Sequence, residues 1–525
     1  MQRWIEPRAD NSRRPLNSTR TPVGHNVSAN FIAKILGAAV NLACVPFYVR
    51  ALGIAGYGIV GIWLTLETIA NLLDLGLSAT LTRELAVATA QPASLDSSRD
   101  LLRTLESIYW VIGILIGLTV IAAAPVLASH WFNTGNLPEG AMRRALVAIG
   151  VLLACRWPIS LYLGGLNGLE RQVFLAWVNT GFAIARHVGA VLALVTYSPT
   201  VLTFLVWQIL VNAAYAGILG LLLWRALPRG ATSAAVRIAS LRRVWRFAGG
   251  SGAIALTAFA TQDIGPVIVS KLVTIEQFGY YSLAWRVASV AYIGSIAVGT
   301  AAFPALSRLA ARGDQSQLAT TYHSLCQLQS VLVLPTTAIL LLFGRQVIFA
   351  WTGDAALAAR VYPVSSLLAA GAALQCLGVA PFALQIAYGW TSLALYLNLV
   401  AAVINVPLLF WLISGYGIFG AGVAWLIVAA FLFSLAIPLM HRRLLSNDQI
   451  SFYTVDILGP MAASAISAAV MARLLSSASR VDLMCAIPIM FLVSTVAAVV
   501  STPLVREKAR QAVVSLWSWA VLRPA

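Results

Sequence analysis

Charge is what this sequence has least of. Only 10% of its 525 residues are Asp, Glu, Lys or Arg, against roughly 25% in a soluble globular chain. That excludes an ordinary water-soluble domain. Lysine is nearly missing: Lys34, Lys271 and Lys508 are the only three, and none follows a glycine. A GxxxxGK loop, whose backbone cradles nucleotide phosphates, therefore cannot be written anywhere. The five histidines, His25, His130, His187, His323 and His441, are too scattered for HExxH or another close metal pair. The run Gly249-Gly250-Ser251-Gly252-Ala253 lacks the last glycine of GxSxG. No enzyme signature survives, and no cofactor or metal is expected. Five cysteines, Cys44, Cys155, Cys326, Cys376 and Cys485, fall in or beside apolar segments without CxxC spacing and read as buried free thiols. The first residues carry Arg3, Arg8, Arg13, Arg14 and Arg20 but no apolar run, so they read as a disordered cytoplasmic tail rather than a signal peptide.

What is abundant is apolar surface: 60% of the residues are hydrophobic and the mean hydropathy is +0.84. Apolar stretches follow one another at 28–49, 56–77, 105–128, 144–167, 172–195, 200–224, 247–271, 278–304, 326–344, 362–387, 391–413, 418–440, 456–476 and 482–503. Each is long enough to cross a hydrocarbon core about 30 Å thick as a helix. The expected fold is an all-α polytopic membrane protein of about 14 spans. Lys and Arg concentrate in the loops on the side of the N-terminus, which places both termini in the cytoplasm. The net charge of +17 then belongs to helix ends facing anionic lipid headgroups rather than to nucleic acid.

A basic linker with Arg225, Arg229, Arg237, Arg242, Arg243 and Arg246 divides the chain, and the halves echo each other. Pro46, Val49 and Leu52 match Pro266, Val269 and Leu272 at constant offset, Tyr57-Gly58 recurs as Phe278-Gly279, and Leu81-Thr82-Arg83 as Leu306-Ser307-Arg308. The expected organisation is a cytoplasmic tail (1–27), a six-helix bundle (28–224), the linker (225–246), a second six-helix bundle (247–440), two further spans (456–503) and a basic amphipathic tail (504–525). Parallel repeats of this kind place a substrate site at their interface near mid-membrane.

Polar groups inside spans are costly and turn toward the bundle interior or water. Asn30, Lys34, Gly37 and Asn41 recur at helical spacing in the first span, as do Glu67, Asn71 and Asp74 in the second. Later spans add Arg156, Asn179, Arg186, Gln208, Asn212, Gln262, Asp263, Arg286, Asn398 and Asn405. Deep arginines cost about +2.5 to +3.5 kcal/mol on insertion scales and need a partner or water. Internal pairing with Glu67 or Asp263 is one reading. With three deep arginines against two deep acids, a cation is left for a phosphate or carboxylate. Arg156, Arg186, Arg286 and Lys34 are thus the candidate anion-binding residues, Asn41, Asn71, Asn179, Gln208, Asn212, Gln262, Asn398 and Asn405 the polar lining, and Glu67 and Asp263 the candidate sites for a coupling ion. Trp63, Trp157, Trp177, Trp207 and Trp285 are candidate sugar-stacking faces, with packing as the commoner role.

At Leu52-Gly53-Ile54-Ala55-Gly56-Tyr57-Gly58, Asp74-Leu75-Gly76-Leu77, Leu81-Thr82-Arg83-Glu84-Leu85-Ala86, Phe278-Gly279-Tyr280-Tyr281, Ala284-Trp285-Arg286, Phe303-Pro304-Ala305-Leu306-Ser307-Arg308 and Trp351-Thr352-Gly353, the chain resembles Wzx-type polysaccharide transporters of the multidrug/oligosaccharidyl-lipid/polysaccharide exporter superfamily. The resemblance implies two six-helix bundles around a cavity open alternately to each side. It also implies a monomeric flippase of the bacterial inner membrane that carries an undecaprenyl-pyrophosphate-linked oligosaccharide to the periplasmic leaflet for O-antigen or exopolysaccharide synthesis. Membrane lipids and a polymerase and chain-length complex would be its partners. A cation-coupled drug antiporter of the same superfamily, a peptidoglycan-precursor flippase, a membrane glycan polymerase or ligase, and a scaffold subunit are the competing readings.

Overall fold

A computed structural model of the protein describes residues 23–74, 76–90, 95–135, 137–169, 171–227, 234–237, 256, 259–475 and 479–511. Among them there is no strand, only a single isolated bridge between Asn133 and Thr274. In lipid each backbone N–H and C=O has to be satisfied within its own segment, which a helix does and an open strand does not. In chain order the helices are α1 (Val23–Leu72), α2 (Leu77–Ala90), α3 (Leu95–Val126), α4 (Glu139–Arg156), α5 (Ile159–Gly168), α6 (Gln172–Thr196), α7 (Val201–Ala226), α8 (Ile264–Leu272), α9 (Ile275–Ala288), α10 (Val290–Arg312), α11 (Gln315–Leu342), α12 (Gly344–Thr352), α13 (Ala355–Leu377), α14 (Val379–Ala387), α15 (Thr391–Leu444), α16 (Gln449–Ser451), α17 (Gly459–Leu474) and α18 (Arg480–Ser501).

Eleven helical segments among the described residues are long and apolar enough to cross a membrane. Two of them are interrupted by a non-helical glycine. α1 breaks at Gly53 (φ 70°) and α15 at Gly417 (φ 57°), both in the left-handed region where glycine carries no steric penalty. Beyond Gly417 the backbone at Gly420 presses on the Leu412 carbonyl, so α15 doubles back on itself. The predicted seventh span is described only from Phe259 onward, apart from Leu256. The arrangement is compatible with fourteen crossings: two repeated bundles and two further C-terminal spans packed on α11.

The N-terminal tail up to residue 22, most of the basic linker and the residues from 512 lie outside the described set. Within the linker, Ala235 N donates to Asp100 Oδ1 at 2.8 Å, and Arg237 pairs with Asp100 at 2.7 Å. That stretch is tied to the N-terminal end of α3. The cysteine expectation holds for Cys44, Cys326 and Cys376, which are buried, and fails for Cys485, which is exposed. The reason is position: α18 packs by one face only, and the rest of it forms the outside of the bundle.

The halves meet at the end of the bundle away from Val23, the distal end. There the echoed dipeptides Tyr57-Gly58 and Phe278-Gly279 cross. A Cβ on Gly58 would collide with the Ile275 carbonyl, and one on Gly279 with the Ile54 carbonyl. Each glycine admits the backbone four residues before its counterpart, a reciprocal contact that only small residues permit. Five hydrogen bonds join the halves at this end. Ile275 N donates to Asn133 O (2.9 Å), Lys271 Nζ to His130 O (2.6 Å) and Trp131 Nε1 to Ser270 Oγ (3.3 Å). Arg50 Nη2 donates to Thr352 O (3.0 Å) and Trp351 Nε1 to Leu42 O (3.1 Å).

Candidate functional site

On the near side of the glycine crossing, between the halves, lies a cavity of 260 Å³. Gly61, Thr65 and Thr68 of α1 reach it at helical spacing, and Phe278, Ser282 and Trp285 of α9 do the same, with Ser289 at its C-cap. Its charged groups are Glu67, Asp263 and Arg286. Among the described residues no carboxylate comes within ion-pair distance of Arg286. Trp285 lines the cavity while packing edge-on against Trp425, with ring centroids 4.9 Å apart.

Glu67 links this cavity to a polar network inside the first bundle. Arg156 Nε pairs with Glu67 Oε1, and Arg156 Nη1 donates to Asn212 Oδ1 at 2.9 Å. Asn212 Nδ2 donates to Gln208 O at 2.7 Å, and Gln208 Nε2 to the Arg186 carbonyl at 3.4 Å. Tyr215 OH donates to Asn179 Oδ1. Arg186 lies within electrostatic reach of Arg156 and Glu67, and its buried Nε has no hydrogen-bond partner among the described residues, nor has Glu67 Oε2. His187 feels all three arginines, so they occupy one neighbourhood. Arg156, Asn179, Arg186, Gln208 and Asn212, from the three helices α4, α6 and α7, thus assemble around Glu67, and Arg286 stands across the interface.

Other residues go elsewhere. Gln262 and Asn398 line a second chamber within the second half. Asn405 Nδ2 donates to the Thr261 carbonyl at 3.2 Å, inside a π-helical turn, Phe259–Asp263, where the widened ring leaves carbonyls needing donors. Asn71 is exposed and Asn41 half-buried, and the side chain of Lys34 lies outside the described residues. Asp74 is held by Tyr109 and by Ser78, whose Oγ donates to it at 2.7 Å. Of the tryptophans, Trp63 and Trp157 are buried. Trp157 stacks on Tyr109 and Trp207 Nε1 donates to Ala185 O at 3.0 Å, whereas Trp177 is exposed.

Part of the distal closure had no signal in the spans because Trp131, Asn133, Trp351 and Thr352 sit in connections. These four lie between the predicted spans, in 129–143 and 345–361, and the second of these connections holds all of α12 but Gly344. A second cluster, at the proximal end, joins the C-terminal spans to the second bundle. His323 Nδ1 meets the fully buried Asp456 at 2.5 Å, and Gln327 Nε2 donates to Asp456 at 2.9 Å. Asp456 lies in another π turn, Phe452–Leu458, which shifts helical phase by a residue and hides it from spacing arguments.

Comparison with known proteins agrees with this architecture. The sequence profile described as "Polysaccharide biosynthesis protein" matches residues 23–310, and the MatE profile matches residues 253–411. A protein named "Probable low-salt glycan biosynthesis flippase Agl15" of Haloferax volcanii is 23% identical over 402 residues, covering 75% of this chain and 78% of that protein. Among solved structures, lipid II flippase MurJ in an inward closed conformation superimposes with a TM-score of 0.64 at 14% identity, covering 91% of this chain and 98% of that one. An inward-facing MATE-family multidrug resistance transporter of the MOP superfamily gives 0.61 at 15% identity, covering 77% and 95%. With one family profile spanning more than half of the chain and a fold to match, the protein belongs to the polysaccharide biosynthesis protein family.

Proposed function

We propose that the protein is a flippase that carries an undecaprenyl-pyrophosphate-linked oligosaccharide from the cytoplasmic to the periplasmic leaflet of the inner membrane, for O-antigen or exopolysaccharide synthesis. It works as a monomer with both termini in the cytoplasm and hands its cargo to a polymerase and chain-length complex. The observation that carries this reading is the charge balance at the interface. Arg156, Arg186 and Arg286 share a neighbourhood with Glu67 and Asp263, and Arg156 is already paired with Glu67. One guanidinium beyond the acids is left for an anionic headgroup, which it meets as a fixed planar donor fork.

Distal contacts hold the halves together on the periplasmic side in this topology, so the arrangement is the one that loads from the cytoplasmic leaflet. Release requires those contacts to part while the proximal ends close. A charge moved with the headgroup exchanges about 2.3 kcal/mol per 100 mV with the membrane potential. Glu67 and Asp263 offer the alternative of ion exchange.

The test is reconstitution in vesicles containing lipid-linked oligosaccharide extracted from the source cells, lipid II, or neither with a cationic dye inside. Transbilayer exchange of the extracted lipid, lost in Arg286→Ala at unchanged protein level, is the expected result. Exchange of lipid II alone makes the protein a peptidoglycan-precursor flippase, and dye efflux alone makes it a drug antiporter. Turnover of the glycan in detergent, with no second compartment, makes it a polymerase or ligase.

A further inference from the structure

Among the described residues, a chamber larger than the central cavity is lined without any charged residue. It encloses 540 Å³ within the second half, between the π turn at Gln262, α13, α14 and the two arms of α15. That is within the roughly 300–1,000 Å³ of small-molecule sites. No Asp, Glu, Lys, Arg or His lines it among the described residues; its polar groups include Gln262, Gln375, Gln385 and Asn398, and Phe382 and Phe433 add flat apolar faces.

Each plausible occupant meets a different fate there. A metal ion or organic cation would find no carboxylate, and a phosphate no cation. An isoprenoid tail would suit the apolar wall but worsen one feature. Gln385 is 3% exposed, and its Oε1 has no hydrogen-bond partner among the described residues. A buried acceptor in that position is costly until a donor reaches it, and a hydrocarbon carries none. Sugar hydroxyls both donate and accept, as primary amides do, and the CH face of a sugar ring can lie on an aromatic side chain.

The chamber also adjoins the charged one. Gln262 and Asp263 are consecutive, yet Gln262 lines the neutral chamber and Asp263 the central cavity beside Arg286. The π turn that carries them, held by Asn405 at the Thr261 carbonyl, is a shared wall, so a single substrate can keep its headgroup on one side and its glycan on the other.

We propose that this chamber is the subsite for the uncharged sugars of the lipid-linked substrate, with Gln385 as the acceptor that senses a hydroxyl. The inference rests on the flippase reading above. Native mass spectrometry of the full-length protein in detergent tests it, with lipid-linked oligosaccharide extracted from the source cells and synthetic undecaprenyl pyrophosphate titrated separately. Gln385→Leu and Asn398→Leu should each weaken binding of the glycan-bearing lipid about tenfold, the scale of one or two hydrogen bonds, and leave bare undecaprenyl pyrophosphate unchanged. Arg286→Ala should weaken both. Equal affinity of the natural protein for the two lipids, or tighter binding of the bare lipid by Gln385→Leu, would overturn the subsite and assign the chamber to the tail. So would normal binding of the glycan-bearing lipid by both leucine variants. If the natural protein binds neither lipid, the flippase reading itself fails. The Asn398 variant guards against misfolding at the more buried Gln385, and the melting temperature of each variant reports whether it is folded.

Discussion

Arg156 and Arg286 are both deep arginines, but they sit in different circumstances, and their substitutions should fail differently. Arg156 is committed to Glu67 and Asn212, so Arg156→Ala strands a carboxylate. Removing one partner of a buried pair costs about 3–5 kcal/mol. The side chain of Arg156 is 25% exposed and that of Glu67 14%, which puts the expected cost toward the lower end. Arg156→Ala is therefore expected to lower the melting temperature and the amount of protein recovered in detergent, and adding Glu67→Gln should restore much of both. Arg286→Ala leaves no carboxylate stranded at contact distance and should cost transport while melting normally. A thermal melt beside the vesicle assay separates the two outcomes. Spacing made both arginines legible as inward-facing. It could not say which was paired, because Glu67 and Arg156 are 89 residues apart in sequence and only the fold brings them together.

At the scale of elements, the glycine crossing turns a faint repeat into a mechanical part. Tyr57-Gly58 and Phe278-Gly279 were legible as an echo between halves, and the fold makes the two glycines each other's counterparts at the closest approach of α1 and α9. Gly279→Leu should hold the helices apart, since its side chain would occupy the place of the Ile54 carbonyl. The expected outcome is a protein that folds but cannot close distally. A single cysteine placed at Thr274, in a background lacking native cysteines, should then react faster with a membrane-impermeant maleimide added to whole cells. Unchanged labelling would show that the halves meet by some other route. The π turns were not legible. Each adds one residue to a helical ring, so Asp263 and Asp456 leave the face that a period of 3.6 assigns them. The second chamber is hidden for a related reason: helical spacing puts Gln262 and Asn398 in one central lining, and the sequence does not reveal that consecutive residues turn to opposite sides of a wall.

At the scale of the whole molecule, two of the distal contacts combine into a latch. Pro46 lies inside α1 and has no N–H to give the carbonyl four residues earlier, so the Leu42 oxygen needs another donor. Trp351 Nε1 supplies it across the interface, and beside it Arg50 donates to the Thr352 carbonyl at the end of α12, where the last carbonyls of a helix lack partners. Both bonds must break when the halves part distally. Each is worth about 0.5–1.5 kcal/mol net in water-like surroundings, and more where the released carbonyl faces lipid rather than water. Opening is thus opposed by roughly 1–3 kcal/mol from this pair alone, about a fivefold to hundredfold bias toward the distally closed state. Arg50→Ala with Trp351→Phe should remove that bias. In the reporter at Thr274 the initial labelling rate should rise by at least fivefold, and transport should change through the balance of states rather than through headgroup affinity, so the native mass spectrometry of bound lipid should be unaltered. A double variant that labels no faster than its parent would mean that the glycine crossing and the Asn133–Thr274 bridge hold the distal end without help. A variant that also loses lipid binding would mean that closure and the charged cavity are one cooperative unit, with the latch acting on the site through α1, which carries Leu42, Arg50 and Glu67 along a single broken helix.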